Sequence, residues 1–141
     1  MLCYKNHRFH YGQISFQIPD GYYIDTDPEL ISDNSLHLHS PDKLHRLDLQ
    51  VDTSSKGAIK ELAAVLRDMK HTLVQPTSLL SLNGLTGVHA AYKAEGNQYY
   101  EAWVDIARGV SMLILISSKR DIAKIDTAAI LTAVDLRKNI Y

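Results

Sequence analysis

Seven histidines make a metal site the first chemistry to consider, and three of them lie close together in the chain. His37 and His39 are two residues apart, so on a strand both imidazoles would project from the same face. His45 shares the alternation of Leu47 and Leu49, which we expect to point into the core. Because a common face would require a β-bulge and no spacing matches a known metal motif, we predict neither a metal nor a cofactor. His37 and His39 are the residues to test should a metal bind.

A nucleophile paired with a base is the second chemistry, and the sequence predicts none. The single cysteine, Cys3, is close to the N-terminus, and no Gly-x-Ser-x-Gly motif occurs. We therefore predict that the protein is not an enzyme. A lone cysteine requires no oxidising compartment, and the early charged residues do not resemble a secretion signal, so we predict a cytoplasmic location.

Acidic residues are concentrated in one loop, residues 20–33. Asp20, Asp25 and Asp27 could supply a carboxylate pair or a calcium loop, but their spacing does not match an EF-hand. We expect a solvated loop, with these three aspartates as candidate residues for binding a partner.

Aromatic residues provide a second candidate surface. Tyr99 and Trp103 lie on the same face of a predicted strand, beside Glu101 and Asp105, and Tyr92 on the neighbouring strand could approach them. Tyrosine and tryptophan are enriched where proteins bind one another tightly. In the alternative interpretation a helix covers this face and Trp103 belongs to the core.

Composition limits the kind of molecule. The 141 residues are 45% hydrophobic and 22% charged, which predicts one globular domain over residues 1–141, with residues 1–12 as a segment that could be mobile. Fifteen basic and sixteen acidic residues give a net charge of −1, which argues against a nucleic-acid partner. The longest apolar run, residues 112–116, is far shorter than the ~20 residues of a membrane-spanning helix, so we predict no membrane insertion.

The first half of the chain reads as strands followed by a helix. Apolar residues alternate over residues 13–18, and Pro19-Asp20-Gly21 then turns the chain. Residues 36–39 and 44–51 are predicted to pair as a hairpin. Apolar residues at helical spacing predict a helix over residues 56–71, which must end before Pro76.

The second half repeats this order of elements. Strands over residues 79–82 and 85–94 flank Asn83-Gly84, a strong hairpin signal, and further strands follow at 99–106 and 110–117. A helix over about residues 121–137 completes the chain. The last strand is apolar on both faces and requires cover on both: Met112, Ile114 and Ile116 on one, Leu113 and Leu115 on the other.

The order strands, helix, strands, helix predicts an α+β fold. Short turns between adjacent strands favour a largely antiparallel sheet. With one helix on each side, the expected architecture is a three-layer α/β/α sandwich.

The chain resembles the PsbP-like superfamily, which includes the Mog-type Ran-binding proteins and the bacterial DcrB-like domains. The resemblance rests on Phe-Gln-Ile-Pro-Asp-Gly-Tyr at residues 16–22, where Tyr22 replaces a common tryptophan, and on Leu-Ser-Leu-Asn-Gly-Leu-Thr-Gly at residues 80–87. It covers residues 13–134 and implies an antiparallel sheet between helices, without a shared catalytic residue set. It also implies roles in protein binding and, among free-standing bacterial relatives, as chaperones for apolar segments of secreted effectors.

These observations favour a non-catalytic protein-interaction module of bacterial type, which holds a protein partner with an exposed sheet face or with the loop at residues 20–33. A homodimer is compatible with this function. Two alternatives stay open. One is a cytoplasmic chaperone or adaptor for an apolar segment of a secreted effector. The other is a small-molecule carrier or small enzyme with a site between the sheet and the loop at residues 20–33.

Overall fold

The computed structural model describes residues 2–139, which form two sheets and two α-helices. The helices are α1 (Ala58–Asp68) and α2 (Thr127–Val134), and 3₁₀ turns lie at Pro28–Leu30 and Ile122–Lys124. The strands are β1 (Cys3–Lys5), β2 (Arg8–Tyr11), β3 (Ile14–Phe16), β4 (Tyr23–Ile24), β5 (Ser35–His39), β6 (His45–Asp52), β7 (Thr72–Leu82), β8 (Leu85–Ala94), β9 (Asn97–Ala107), β10 (Val110–Ser118) and β11 (Arg137–Lys138).

Both sheets are antiparallel. The smaller has the order β1-β2-β3-β11, and the larger has the order β4-β5-β6-β10-β9-β8-β7. The α+β class and the antiparallel pairing are therefore confirmed, whereas the second sheet was not predicted. The three-layer α/β/α arrangement stays a prediction.

One face of the larger sheet carries the main core. Alternate side chains of a strand point to opposite faces, so Leu47 and Leu49 of β6 lie beside Ile114 and Ile116 of β10, all fully buried. The smaller sheet and the C-terminal segment pack against this face through Ile14, Phe16, Ile122, Ile130, Leu131, Val134 and Leu136.

The opposite face of the larger sheet is contacted by α1. Leu62 of the helix packs with Val88 and Ala90 of β8 and with Trp103 of β9. Leu113 joins this cluster and is half-buried, which gives the closing apolar strand contacts on both of its faces.

Both helices are shorter than predicted. α1 begins only at Ala58 because Gly57, with φ 104°, is not helical, and it ends at Asp68 because Met69 is extended. The helix expected over residues 121–137 is instead a 3₁₀ turn followed by α2. Asp135 adopts the left-handed conformation at φ 48° and ends α2, so that Arg137 and Lys138 pair with β3.

The strand β7 begins at Thr72, seven residues before the predicted start at residue 79. Pro76 therefore lies inside a strand. Proline cannot donate to a β-ladder, and it is accommodated here because β7 is the outermost strand and its pairing with β8 shifts register twice, between Leu73 and Ser78.

The N-terminal residues also form strands. β1 and β2 fall within residues 1–12, and β2 pairs with β3, with Phe9 opposite Phe16. The mobility expected of this segment stays a prediction. Within residues 2–139, no helix combines the length and the apolar character that crossing a bilayer requires.

Candidate functional site

The aromatic surface expected around β9 is largely buried. Tyr92 and Trp103 are 2% and 6% exposed beneath α1, and Tyr99 stacks on Tyr92 with ring centroids 5.2 Å apart. The expectation that Tyr92 and Trp103 present their rings at the surface is therefore not met, and the burial of Trp103 agrees with the alternative in which a helix covers this face. Tyr99 alone is half-buried and reaches solvent at the edge of this cluster.

Glu101 is buried with these rings and was not singled out by sequence reasoning. The Tyr92 hydroxyl donates to Oε1 and the Trp103 indole N–H donates to Oε2, both at 2.7 Å. Burial raises the pKa of Glu101, although these two hydrogen bonds oppose the shift. The sequence places Glu101 between Tyr99 and Trp103 on one face of a strand. Only the position of α1 shows that this face, and therefore the carboxyl group, is buried.

At the other end of the sheet, β5 and β6 present a polar face together with Asp25, which directly follows β4. We call this the polar face and define it as Asp25, His37, His39, Arg46 and Asp48. Its imidazoles pair with carboxylates: His37 Nδ1 lies 2.7 Å from Asp48 Oδ1, and His39 Nε2 lies 2.8 Å from Asp25 Oδ2. Arg46 Nη2 lies 4.0 Å from Asp25 and 3.9 Å from Asp48, so it bridges the two pairs.

The three candidate aspartates of the loop separate in the structure. Asp25 belongs to the polar face, where a hydrogen bond from the Asp27 backbone amide and then one from His39 lower its pKa. Asp27 instead accepts from the amide of Glu29 and caps a 3₁₀ turn, and Asp20 is exposed in the turn after β3. The three therefore do not form one site.

Metal binding gains no geometric support from the polar face. His37 and His39 project from the same face as predicted, but each is held by a different carboxylate. Within the part of the chain that the structure describes, no group of three or more histidine, cysteine, aspartate or glutamate side chains is placed to hold an ion.

A groove of about 460 Å³ lies beside the start of the acidic loop. Tyr22 and His45 form one wall and share a hydrogen bond, while Ile125, Ala129 and Ile130 supply apolar surface. Burial lowers the pKa of His45, and the nearby Asp42 carboxylate opposes this shift. Burial likewise raises the pKa of Tyr22, so both groups are uncharged at neutral pH.

The outermost strand of the larger sheet exposes apolar side chains, a feature that sequence reasoning missed because it began this strand only at residue 79. We call β7 with its unpaired side the β7 edge. Leu79 is 81% exposed, Leu73 is 48% exposed and Val74 is 38% exposed. Nine of the eleven residues of β7 are exposed, while Leu80 and Leu82 are half-buried against the core.

Comparison with known proteins gives structural matches only. Neither a scan of family models nor a search of curated proteins finds a match. Among solved structures, the yeast (Saccharomyces cerevisiae) Ran-binding protein Mog1p matches with a TM-score of 0.59 and 9% identity, over 90% of each chain. Cyanobacterial PsbP (CyanoP) from Synechocystis sp. PCC 6803 matches with a TM-score of 0.52 and 10% identity, over 89% of this chain and 86% of that one.

A third match is PA94 from Pseudomonas aeruginosa, described as a protein of unknown function and a putative regulator. Its TM-score is 0.55 at 13% identity, over 95% of this chain and 97% of that one. All three matches extend over nearly the whole chain, while their low identities carry information about the fold alone. The chain therefore has a Mog1/PsbP-like fold.

Proposed function

We propose that the protein is a non-catalytic protein-interaction module that binds an extended segment of a partner protein along the β7 edge. The observation that carries the proposal is an eleven-residue outermost strand with exposed leucines. An unpaired strand edge offers a row of backbone N–H and C=O groups, and another polypeptide strand is the ligand that satisfies such a row.

The two halves of β7 differ in how well they could receive a strand. The first half contains Pro76 and the two register shifts, which are the features that protect sheet edges from pairing. The second half, from Ser78 to Leu82, pairs regularly with β8 and carries the exposed Leu79. We therefore assign the second half as the docking segment. The first half would hinder pairing with unrelated strands.

The fold comparison supports this class of function, since yeast Mog1p is described as a Ran-binding protein. We extend the proposal to the cytoplasm, where the lone Cys3 would stay reduced. We also extend it to the three-layer α/β/α arrangement, in which one helix would lie on each face of the sheet and leave the edge for partners.

A chaperone would differ from a general interaction module in that its partner segment is apolar. An apolar segment would bury Leu73, Val74 and Leu79, whose exposure is costly in water at roughly 25 cal/mol for each Å² of apolar surface. This version predicts that the captured segment is rich in leucine, isoleucine or valine, whereas a general interaction module requires only strand pairing.

Leu79→Lys tests the proposal in its native cell. Affinity capture with the wild-type chain should recover a partner that Leu79→Lys fails to recover, and hydrogen exchange of the purified complex should show new protection of β7 amides. Ile59→Lys is the matched control, because Ile59 is an exposed apolar residue on α1 with 65% exposure. Equal loss with both variants, or protection confined to the polar face, would refute the assignment.

A homodimer is a separate outcome of the same experiment. Two copies could pair through their β7 strands by a two-fold axis, since an antiparallel pair of edges is self-complementary. Sedimentation of the purified chain should then show a dimer that Leu79→Lys dissociates. That result would retain the β7 edge as an interface but replace the foreign partner by a second copy.

The second candidate function, a small-molecule carrier, is favoured by the groove beside Tyr22. Its volume of about 460 Å³ falls within the range of small-molecule sites, and it combines apolar walls with a few polar groups. Ala129→Trp would fill the groove. Ligands found by NMR screening should lose their chemical-shift changes in this variant, and ligands that keep them would bind elsewhere.

A further inference from the structure

Two adjoining grooves lie at one end of the larger sheet, where β5 ends at His39 and β9 begins at Asn97. The first has a volume of about 530 Å³ and the second about 400 Å³, and Asn97 lines both. We call their combined surface the basic end and define it by its six cationic residues. These residues are Lys43, Arg46, Lys70, Lys93, Lys119 and Arg120.

The shape of the first groove follows from the strand register. Ser117 of β10 lies directly between Tyr99 of β9 and Arg46 of β6. Neighbouring strands are about 4.8 Å apart, so the two large side chains stand about 10 Å apart with only a small serine between them. Ser117 therefore forms the floor of the groove, and Tyr99 and Arg46 form its walls.

The charge of this surface is opposite to that of the whole chain. Six lysine and arginine residues line the two grooves and Glu95 is their only acidic lining residue, whereas the chain carries a net charge of −1. Arg46 is held by Asp25 and Asp48 of the polar face. Among residues 2–139, none of the other five cations forms an ion pair, which leaves their charges available to a ligand.

We propose that the basic end binds an acidic polypeptide segment in an extended conformation. Side chains on the same face of an extended chain recur about every 7 Å, which suits carboxylates that alternate along a row of cations. Asn97 and Thr72 line the second groove and can bond to peptide N–H and C=O groups, whereas the Gln98 side-chain oxygen already accepts from the Ile122 amide. A single-stranded nucleic acid fits less well, because it requires a series of aromatic platforms and Tyr99 already has one face stacked on Tyr92.

The basic end is a different surface from the β7 edge, and binding there selects a partner by its negative charge. Lys70 and Thr72 lie next to the start of β7, so one partner could contact both surfaces, but neither binding event requires the other. An interaction made by separated charges should weaken steeply as salt is added, unlike strand pairing at the β7 edge.

Fluorescence anisotropy with labelled deca-glutamate tests the inference. The wild-type chain should bind the peptide in low salt, and Lys119→Glu with Arg120→Glu should weaken binding about tenfold or more. Lys5→Glu with Lys60→Glu makes the same change in net charge at exposed sites away from the grooves and should leave affinity within about twofold. Ser117→Phe fills the groove floor without changing charge and should also weaken binding.

The anisotropy results distinguish binding of an acidic peptide at the basic end from nonspecific charge attraction and from nucleic-acid binding. Equal weakening by both charge-reversal pairs, or tighter binding of a deca-thymidine strand than of deca-glutamate, would overturn it. Leu79→Lys should leave the affinity for deca-glutamate unchanged, so a failure of the β7 proposal and a failure of this one are distinguishable. Thermal unfolding of each variant confirms that lost binding does not reflect lost folding.

Discussion

Glu101 is the one carboxylic acid that is buried among residues 2–139, and it accepts hydrogen bonds from two donors in the core. A glutamine can keep both bonds, because its oxygen accepts from the Trp103 indole while its amide donates to the Tyr92 hydroxyl. A leucine can keep neither, and each buried donor left unpaired costs about 1–3 kcal/mol. We expect Glu101→Leu to lower the free energy of unfolding by several times more than Glu101→Gln. Urea unfolding measures the difference, and equal losses would contradict the assigned bonds.

The titration of Glu101 gives a second prediction at the same residue. Its pKa is raised in the folded protein above the ordinary value of 4.5, so the folded state holds its proton more tightly than the unfolded chain does. The stability due to this group is fully present below pH 4.5 and is lost as the pH rises through the folded pKa. The difference in unfolding free energy between wild type and Glu101→Gln should therefore shift in favour of the variant as the pH rises. Burial lowers the pKa of His45 and His89, so these histidines also make stability depend on pH. Both proteins contain them, so their contributions cancel in the difference.

Gly87 lies where β8 and β9 approach closely, and a substitution there should lower the stability of the protein. A Cβ atom at this position would clash with the backbone oxygen of Trp103, so β8 and β9 can approach as closely as they do only with glycine there. We expect Gly87→Ala to destabilise the protein by about 1–3 kcal/mol, because backbone rather than a flexible side chain must move. Thr86→Ala, at the exposed neighbouring position, should change stability by less than about 0.5 kcal/mol. Thermal or urea unfolding of the two variants provides the test.

The elements differ in how far their sequences predicted them. The β7–β8 hairpin was predicted because Asn83 and Gly84 both adopt positive φ, which their residue types favour, and the β5–β6 hairpin followed from alternation. β7 was missed in its first half because local signals treat Pro76 as a breaker, whereas the position of the strand at a sheet edge removes the penalty. The end of α2 was missed because the left-handed conformation of Asp135 depends on distant partners.

Candidate site residues were harder to predict than elements, because burial depends on which element lies above them. The outward direction of His37 and His39 followed from alternation alone, but their carboxylate partners lie elsewhere, Asp48 on β6 and Asp25 just after β4. For Trp103 the sequence left surface and core open, since nothing local indicates where α1 packs. The basic end combines turns far apart in the chain, so no single stretch of sequence carries its charge pattern.

On the scale of the whole molecule, Asp135 joins the parts of the fold. Its carboxylate accepts from Arg8 of the smaller sheet at 2.9 Å, from Asn83 in the β7–β8 turn at 3.0 Å, and from Arg137 after α2. Burial raises the pKa of Asp135, but hydrogen bonds from Arg137, Arg8 and Asn83 outweigh it, so that the pKa lies below the ordinary value. One side chain therefore ties together three segments that are distant in the sequence.

A double-mutant cycle over Arg8 and Asp135 tests whether this junction couples β2 to the segment between α2 and β11. Arg8→Ala and Asp135→Asn should each destabilise the protein, and asparagine is the matched replacement because it tolerates the left-handed backbone at φ 48°. We expect a coupling free energy of about 1–3 kcal/mol at neutral pH, since the pair is hydrogen-bonded and more than three-quarters buried from solvent. Because the pKa of Asp135 is depressed, the stability it provides is present above pH 3.8 and is lost as the pH falls through the folded pKa. The coupling should therefore vanish in acid, and independent effects of the two substitutions at neutral pH would mean that the Arg8–Asp135 pair adds nothing to the stability of this junction.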